Sequence, residues 1–213
     1  IEHYNLTGKS LNNTPAQYKS EFTWLKEVDS LALANAQMNL NTAYRNFFRD
    51  KSNGFPKFKS KKNNNFSYTT NNQKGTVYVE NGYIKLPKLK SPVKIRQHRS
   101  FEGVIKSCTI SKAPSGKYHI SILVETEIQK LPASDMRVGI DVGIKDFAVL
   151  SNGESYKNPK HLRKSEKRLA KLQRDLSRKQ IGSSNRNKAR IKVAKLHEKI
   201  ANQRMDFLHK KST

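Results

Sequence analysis

The sequence predicts an α+β chain of several domains, on three observations. Apolar residues near the N-terminus recur with helical spacing, alternation of period two follows from about Phe66 to Ile128, and helical spacing returns near the C-terminus. The 213 residues, 35% of them hydrophobic, are enough for one or two modest cores. The predicted domains are a helical segment with a basic loop at 1–62, an antiparallel β-barrel at 63–132, and a second sheet with a helical hairpin at 133–213.

The N-terminal part is predicted to be helical over residues 14–50. Thr14 is a predicted N-cap with Pro15 at the first helical position, and Asp29 followed by Ser30 opens a longer helix. One face of that helix is apolar and is predicted to be core. Its residues are Leu33, Leu40, Tyr44 and Phe47. Trp24 and Tyr18 are also expected to pack in the interior, with base stacking as the alternative role.

A basic segment interleaved with aromatic residues follows this helix. Its four lysines are Lys57, Lys59, Lys61 and Lys62, and Phe55 and Phe58 stand among them. Cations beside rings suit a nucleic-acid backbone and its bases. A solvated linker would have a similar composition.

The middle of the chain reads as short antiparallel strands. Asn81-Gly82 is a typical hairpin turn between 76–80 and 83–86. Further strands are predicted at 93–97, 104–111 and 117–126. Five or so such strands with lysines on the open face are compatible with a small barrel of the oligonucleotide-binding type. The single cysteine, Cys108, excludes a disulfide framework and is expected to be a small buried hydrophobe.

Asp141 is the strongest candidate for a catalytic or metal-binding residue. It ends an apolar run and is flanked by Gly139 and Gly143. A second apolar strand follows at 147–150, and the hairpin turn Asn152-Gly153 comes directly after it. An RNase H-like sheet begins in this way, with two strands, a tight turn and a third strand. In that architecture carboxylates hold two divalent ions about 3.5–4 Å apart. A turn-capping aspartate remains an alternative. The sugar-kinase and actin fold also begins with strand-Asp-x-Gly, but Ile144-Lys145 stands where its Gly-Thr would be.

The last part is predicted to be an antiparallel helical hairpin at 160–211, interrupted around Gly182. Its apolar stripes are Leu162, Leu169, Leu172 and Leu176 on the first helix, and Ala189, Val193, Leu196, Ile200 and Phe207 on the second.

Charge indicates the partner. The chain carries a net charge of +25, and 157–213 alone holds 19 basic and 4 acidic residues. So many like charges repel one another unless a polyanion neutralises them, which favours nucleic acid over mere solvation. The hairpin residues predicted to contact it are Arg163, Lys164, Lys167, Arg168, Lys171, Arg174, Arg178, Lys188, Arg190, Lys192 and Lys195. An anionic membrane is the alternative polyanion, but no apolar run approaches the ~18 residues of a spanning segment, so the cytoplasm is expected.

Several motifs, in order along nearly the whole chain, resemble one family. They are Glu27-Val28-Asp29, the 54–58 segment Gly-Phe-Pro-Lys-Phe, Leu86-Pro87, the 139–148 segment around Asp141, and the 204–210 segment Arg-Met-Asp-Phe-Leu-His-Lys. Together they are similar to the TnpB/OrfB proteins of insertion sequences, the transposases related to type V CRISPR nucleases.

The resemblance implies a helical recognition domain inserted in a wedge-type β-barrel, followed by a RuvC-like nuclease domain. The family member would be an RNA-guided DNA endonuclease whose partners are a guide RNA from the transposon end and target DNA with a short adjacent motif. Asp141 matches the first of three carboxylates that would hold Mg²⁺. Thr70, Asn71 and Asn72 are expected to lie on a loop, at a place similar to that where the family reads base edges of the adjacent motif. A polar turn without base contacts is the alternative for these three residues.

The sequence also departs from the family pattern. The second and third carboxylates and the four-cysteine zinc ribbon have no counterpart in it, so the chain is expected to be truncated at both ends and inactive alone. Asp146, Glu154 and Glu166 are possible local substitutes that the family geometry disfavours. The alternative function is a non-catalytic RNA- or DNA-binding module from a decayed or regulatory copy.

Overall fold

The computed structural model describes residues 2–8, 13–60, 66–127, 132, 135 and 137–212. The chain divides into two compact units, one of 1–113 with 117–128 and one of 114–116 with 129–213.

Helix α2 dominates the N-terminal part of the first unit. The helical elements are α1 (Glu2–Thr7), 3-10 turns at Gln17–Lys19 and Thr23–Lys26, α2 (Ser30–Arg49), and a 3-10 turn at Lys51–Asn53. Asp29 caps α2 as predicted, because its carboxylate accepts from the backbone N–H groups of Leu31 (3.4 Å) and Ala32 (3.2 Å).

Three predictions for this region were wrong. Thr14 starts no α-helix: its carbonyl accepts from the N–H of Gln17, and only the two short 3-10 turns follow. The predicted core is also incomplete, since Ala32 is the one buried residue among the described side chains of α2 and Leu40 is exposed. Trp24 is exposed as well.

Two three-stranded antiparallel sheets form the rest of the first unit. The first sheet has the order β1-β5-β6 and the second β2-β3-β4. The strands are β1 (Phe66–Asn71), β2 (Tyr78–Glu80), β3 (Tyr83–Lys85), β4 (Val93–Lys94), β5 (Val104–Lys112) and β6 (Tyr118–Glu125). Their shared core consists of Val77, Ile84, Leu86 and Cys108. The predicted hairpin and the buried cysteine are confirmed. The predicted antiparallel β-barrel is wrong in that the described strands do not close: they form two separate hydrogen-bonded sheets.

Helix α2 (Ser30–Arg49) packs beside β1, an edge strand of the first sheet. The amide of Asn35 donates to the carbonyl oxygen of Thr69 (3.2 Å) and to Oδ1 of Asn71 (3.4 Å). An uncovered edge strand invites pairing with other chains, so this contact protects the sheet.

The second unit begins with the sheet that carries Asp141. Its strands are β7 (Ile140–Val142), β8 (Asp146–Leu150) and β9 (Ser155–Lys157), in the order β7-β8-β9 with antiparallel pairing. The predicted succession of strand, strand, tight turn and strand is confirmed, and β7 is an edge strand. The RNase H-like and RuvC-like assignment beyond these three strands stays a prediction.

The helical hairpin is confirmed. It consists of α3 (His161–Ser177) and α4 (Ser184–Ser212), which pack through Leu169, Leu196 and Ile200 with Leu172 and Val193 around them. At the turn, the guanidinium of Arg186 donates to the carbonyl oxygens of Leu176 (3.0 Å) and Lys179 (2.9 Å). These bonds connect the first turn of α4 to the end of α3 and to the residue after its C-cap.

Candidate nucleic-acid interface and the Asp141 strand

The basic residues predicted on the hairpin lie at its surface. Ten of the eleven are exposed, and the eleventh, Arg190, is half-buried and bonds to Asn187 (3.2 and 3.1 Å). The ten are Arg163, Lys164, Lys167, Arg168, Lys171, Arg174, Arg178, Lys188, Lys192 and Lys195, which we call the hairpin cationic surface. Because the leucine-rich faces pack against each other, the helices leave these cations to solvent or to a polyanion.

The basic loop lies beside α2. Lys57 and Lys59 are exposed and line a groove of about 400 Å³, which we call the α2 groove. Rings contribute to its lining: Tyr44, Phe55, Phe58 and Tyr68. The ring of Phe55 meets that of Tyr44 edge to face, at 5.7 Å between centroids, so the segment is held against the helix. Lys61 and Lys62, which were also predicted to bind nucleic acid, lie outside the described residues.

The residues predicted to read base edges are occupied by structural bonds. Thr70 and Asn71 belong to β1, so the predicted loop was wrong for both. Thr70 is fully buried and its hydroxyl donates to Asp29, and Asn71 accepts from Asn35. Asn72 donates to the carbonyl oxygen of Ile105 (3.0 Å) and accepts from the N–H of Val77 (3.0 Å). The burial of Thr70 favours a structural role for its side chain, and a base contact by Asn71 stays a prediction.

Asp141 is exposed in the middle of edge strand β7, opposite Val149 of β8. Its strand neighbours Ile140 and Val142 are 64% and 68% exposed. The β-branched residues before Asp141 are typical of a buried strand, so burial of this strand is what the sequence predicts, and that prediction was wrong. Gly143 serves the turn after β7, because a Cβ on it would stand 3.1 Å from the carbonyl oxygen of Asp146.

The described residues do not by themselves fit a two-metal centre. No group of three or more His, Cys, Asp or Glu side chains in the described part of the chain could hold a metal ion. Glu154 accepts a hydrogen bond from the hydroxyl of Tyr156 (2.9 Å), and this bond and the negative charge raise the pKa of Tyr156. Glu166 is exposed and lines a hollow of about 730 Å³ with His161 and Phe207. Two metal ions need several carboxylates, and Asp141 alone supplies one.

Sequence reasoning missed an open aromatic face on the first sheet. Phe66, Tyr68 and Tyr118 line a hollow of about 530 Å³ together with Lys112. The alternation that places Phe66 and Tyr68 on one face of a strand was present in the sequence, but its partner strand could be assigned only from the register.

No helix in the part of the chain that the structure describes is both long enough and apolar enough to cross a lipid bilayer.

Comparison with known proteins identifies the family. The family model OrfB_IS605, described as a probable transposase, matches residues 119–213. A protein of Streptomyces pristinaespiralis named "Putative RNA-guided DNA endonuclease" is 43% identical over 197 residues, which cover 91% of this chain and 48% of that protein. The Escherichia coli (strain K12) protein named "Putative RNA-guided DNA endonuclease InsQ" is 40% identical over 197 residues, covering 91% of this chain and 47% of that protein. The chain thus spans about half the length of these relatives, with the matched region including the Asp141 strand and the basic hairpin. The chain belongs to the TnpB/OrfB family of insertion-sequence transposases.

Proposed function

We propose that this chain binds RNA and DNA through its basic surfaces, as part of a transposon-encoded RNA-guided DNA endonuclease. The names of two relatives support the activity, and both relatives are about twice as long as the matched region. We therefore propose RNA-guided DNA cleavage only for a whole protein of the relatives' length, and nucleic-acid binding for the chain itself.

The observation that carries the proposal is the hairpin cationic surface. Ten exposed cations lie on two packed helices, in a region with 19 basic and 4 acidic residues. Each contact between a cation and a phosphate releases condensed counterions, so binding gains free energy that simple solvation of the helices would not give.

The partners follow from the family. A guide RNA from the transposon end and target DNA with a short adjacent motif are the proposed polyanions. The α2 groove combines Lys57 and Lys59 with aromatic rings, so it suits contacts to backbone phosphates and to bases at the same time. Lys61 and Lys62 would extend the basic loop.

Asp141 is the proposed metal ligand of the chain. Its exposure on an edge strand leaves the carboxylate open to a divalent ion such as Mg²⁺, but further carboxylates would be required to complete the site. For the chain alone we therefore propose that it binds nucleic acid without cleaving it. The described residues support this, because they include no group of three or more His, Cys, Asp or Glu side chains that could hold a metal ion.

Titration at two ionic strengths tests the proposal. Fluorescence anisotropy with a labelled RNA hairpin and a labelled DNA duplex should show affinity falling by roughly 10³-fold or more between 50 and 200 mM salt, as expected for six or more phosphate contacts. Salt-independent binding, or no binding at low salt, would contradict it.

A charge-matched pair of variants locates the surface. The triple variant Lys164→Gln, Lys167→Gln, Lys171→Gln removes three exposed charges from α3. The control Lys26→Gln, Lys90→Gln, Lys94→Gln removes three exposed charges from the first unit. We expect the first variant to weaken binding far more than the control and to reduce the slope of log affinity against log salt by about 3. Equal losses would show that net charge, and not the hairpin, governs binding.

A further inference from the structure

The inner face of the β1-β5-β6 sheet changes from buried to open along three cross-strand rows. The first row, Thr70–Cys108–Ile122, contains two fully buried residues. The second row is Tyr68–Ile110–Ile120, and the third is Phe66–Lys112–Tyr118. Residues directly opposite one another on neighbouring strands share a face, so the third row continues the core face beyond the core itself.

The open end of this face carries three rings beside two cations. Phe66 and Tyr68 are each 43% exposed and Tyr118 is 67% exposed, and Nζ of Lys112 stands 5.4 Å from the centroid of the Tyr118 ring. The hollow that they line has a volume of about 530 Å³, and Lys59 and Lys112 are the charged residues in its described lining. We call Phe66, Tyr68, Lys112 and Tyr118 the β-sheet platform.

The chemistry of the platform selects its ligand. Exposed rings on a sheet offer flat apolar surfaces on which unpaired bases stack, with little dependence on sequence. Two lysines and no carboxylate in the described lining complement the phosphates between those bases. A duplex hides the faces of its bases in its own stack, so it cannot use the rings.

We propose that the β-sheet platform binds single-stranded RNA or DNA by stacking bases on Phe66, Tyr68 and Tyr118, with Lys59 and Lys112 on the phosphates. This inference rests on the proposed nucleic-acid binding and adds a strand-selective site, in the first unit, to the hairpin cationic surface of the second. Burial, together with the nearby Cys108 and Asp29, raises the pKa of Tyr68.

A test compares single-stranded with double-stranded probes. A 12-nucleotide strand containing 2-aminopurine is titrated with the unmodified chain and with Tyr118→Thr, which removes the ring and replaces it with another residue of high β-propensity. Tyr83→Thr is the matched control, since Tyr83 is an exposed tyrosine of the other sheet. The fully paired duplex of the same sequence is titrated in parallel. Tyr118→Phe keeps the ring, and circular dichroism checks the fold of every variant.

We expect Tyr118→Thr to weaken single-strand binding about tenfold or more and to remove most of the 2-aminopurine quenching, with duplex affinity changed less than about twofold. Tyr118→Phe and Tyr83→Thr should both behave like the unmodified chain. If Tyr118→Thr matches Tyr83→Thr on the single strand, the platform is wrong while nucleic-acid binding stands.

A second experiment needs no substitution, so it remains valid if a variant misfolds. A single strand that contains 5-iodouracil is bound to the unmodified chain and cross-linked to it with ultraviolet light. Adducts on the peptide of β6, which carries Tyr118 and contributes nothing to the described lining of the α2 groove, support the platform, and adducts confined to other segments overturn it. No binding of either probe by the unmodified chain at low salt would overturn the proposed function and this inference together.

Discussion

The hydroxyl of Thr70 in β1 donates a hydrogen bond to Oδ2 of Asp29, at 2.5 Å. The same carboxylate accepts from the first-turn N–H groups of Leu31 and Ala32 in α2. One aspartate thus starts the helix and attaches it to a strand that lies 41 positions further along the chain. Because Thr70 is fully buried, its hydroxyl has no access to solvent if this bond is lost.

Thr70→Val should destabilise the first unit without a change of shape. Valine keeps the volume and the β-branch but removes the donor to a charged acceptor, which costs on the order of 2 kcal/mol of unfolding free energy. Urea denaturation followed by circular dichroism measures the loss.

Thr109→Val is the matched control for this prediction. The hydroxyl of Thr109 bonds to that of Thr69 (2.8 Å), a neutral pair in a part-buried setting, so the expected loss is about 1 kcal/mol or less. If the two variants lose the same free energy of unfolding, the bond to Asp29 contributes no more to stability than the neutral bond between Thr69 and Thr109. In a Thr70→Val, Asp29→Ala double variant the losses should be less than additive, because both changes remove the same bond.

Gly103 should be one of the least replaceable residues of the first sheet. Its φ is +116°, and a Cβ on it would overlap the carbonyl oxygen of Glu125 on β6. Gly103→Ala therefore adds backbone strain and forces β5 and β6 apart, at a cost on the order of 3 kcal/mol.

Gly82→Ala separates the cost of backbone strain from the cost of steric overlap between strands. Gly82 also has a positive φ, of +77°, but a Cβ on it would meet nothing within 4 Å, so strain alone should cost about 1 kcal/mol. Chemical denaturation of both variants gives the comparison. A loss for Gly103→Ala no larger than that for Gly82→Ala would show that the strands move apart at little cost.

Burial raises the pKa of the Cys108 thiol from 9.0 to about 11. The folded chain therefore retains this proton where the unfolded chain releases it, so the related stability is complete below about pH 9 and is lost as the pH rises towards about 11. Cys108→Ala removes this contribution, so its stability should fall less steeply over the same interval than that of the unmodified chain. The thiol should also react slowly with Ellman's reagent at pH 8 until urea unfolds the chain. Rapid reaction in the native state would contradict the buried placement.

The local signals in the sequence were reliable where one interaction decides the structure. Asp29 before Ser30 gave the start of α2, Asn81-Gly82 gave a hairpin, and the two leucine-rich stripes gave the helical hairpin. In each case the deciding contacts lie within a few residues or along one face of a helix.

The predictions that failed depended on contacts distant in sequence. Thr70 was assigned to a loop because its polar neighbours look like a turn, whereas pairing with Cys108, 38 positions away, makes the segment a strand. The alternation of Tyr118 with Ile120 indicates that the two share one face of β6, but only the register with β5 shows that this face is open at Tyr118. The same limit applies to Asp141: a strand-forming pattern predicts a strand, but burial depends on what packs against it.

Asp141→Asn should leave the fold unchanged and should separate binding from catalysis. The carboxylate is exposed on β7, so its replacement should change the unfolding free energy by no more than about 0.5 kcal/mol. Affinity for RNA and DNA should also persist, because it rests on the cationic surfaces.

In a whole protein that supplies the other carboxylates, the same change should abolish Mg²⁺-dependent DNA cleavage, since one lost ligand disturbs the metal site. Asp146→Asn, in the neighbouring strand β8, is the control and should retain cleavage. For the purified chain we expect no cleavage with either residue at position 141. Mg²⁺-dependent nicking that disappears in Asp141→Ala would show that the chain completes a metal site by itself, and unfolding of Asp141→Asn would show that this aspartate serves the turn between its strands instead.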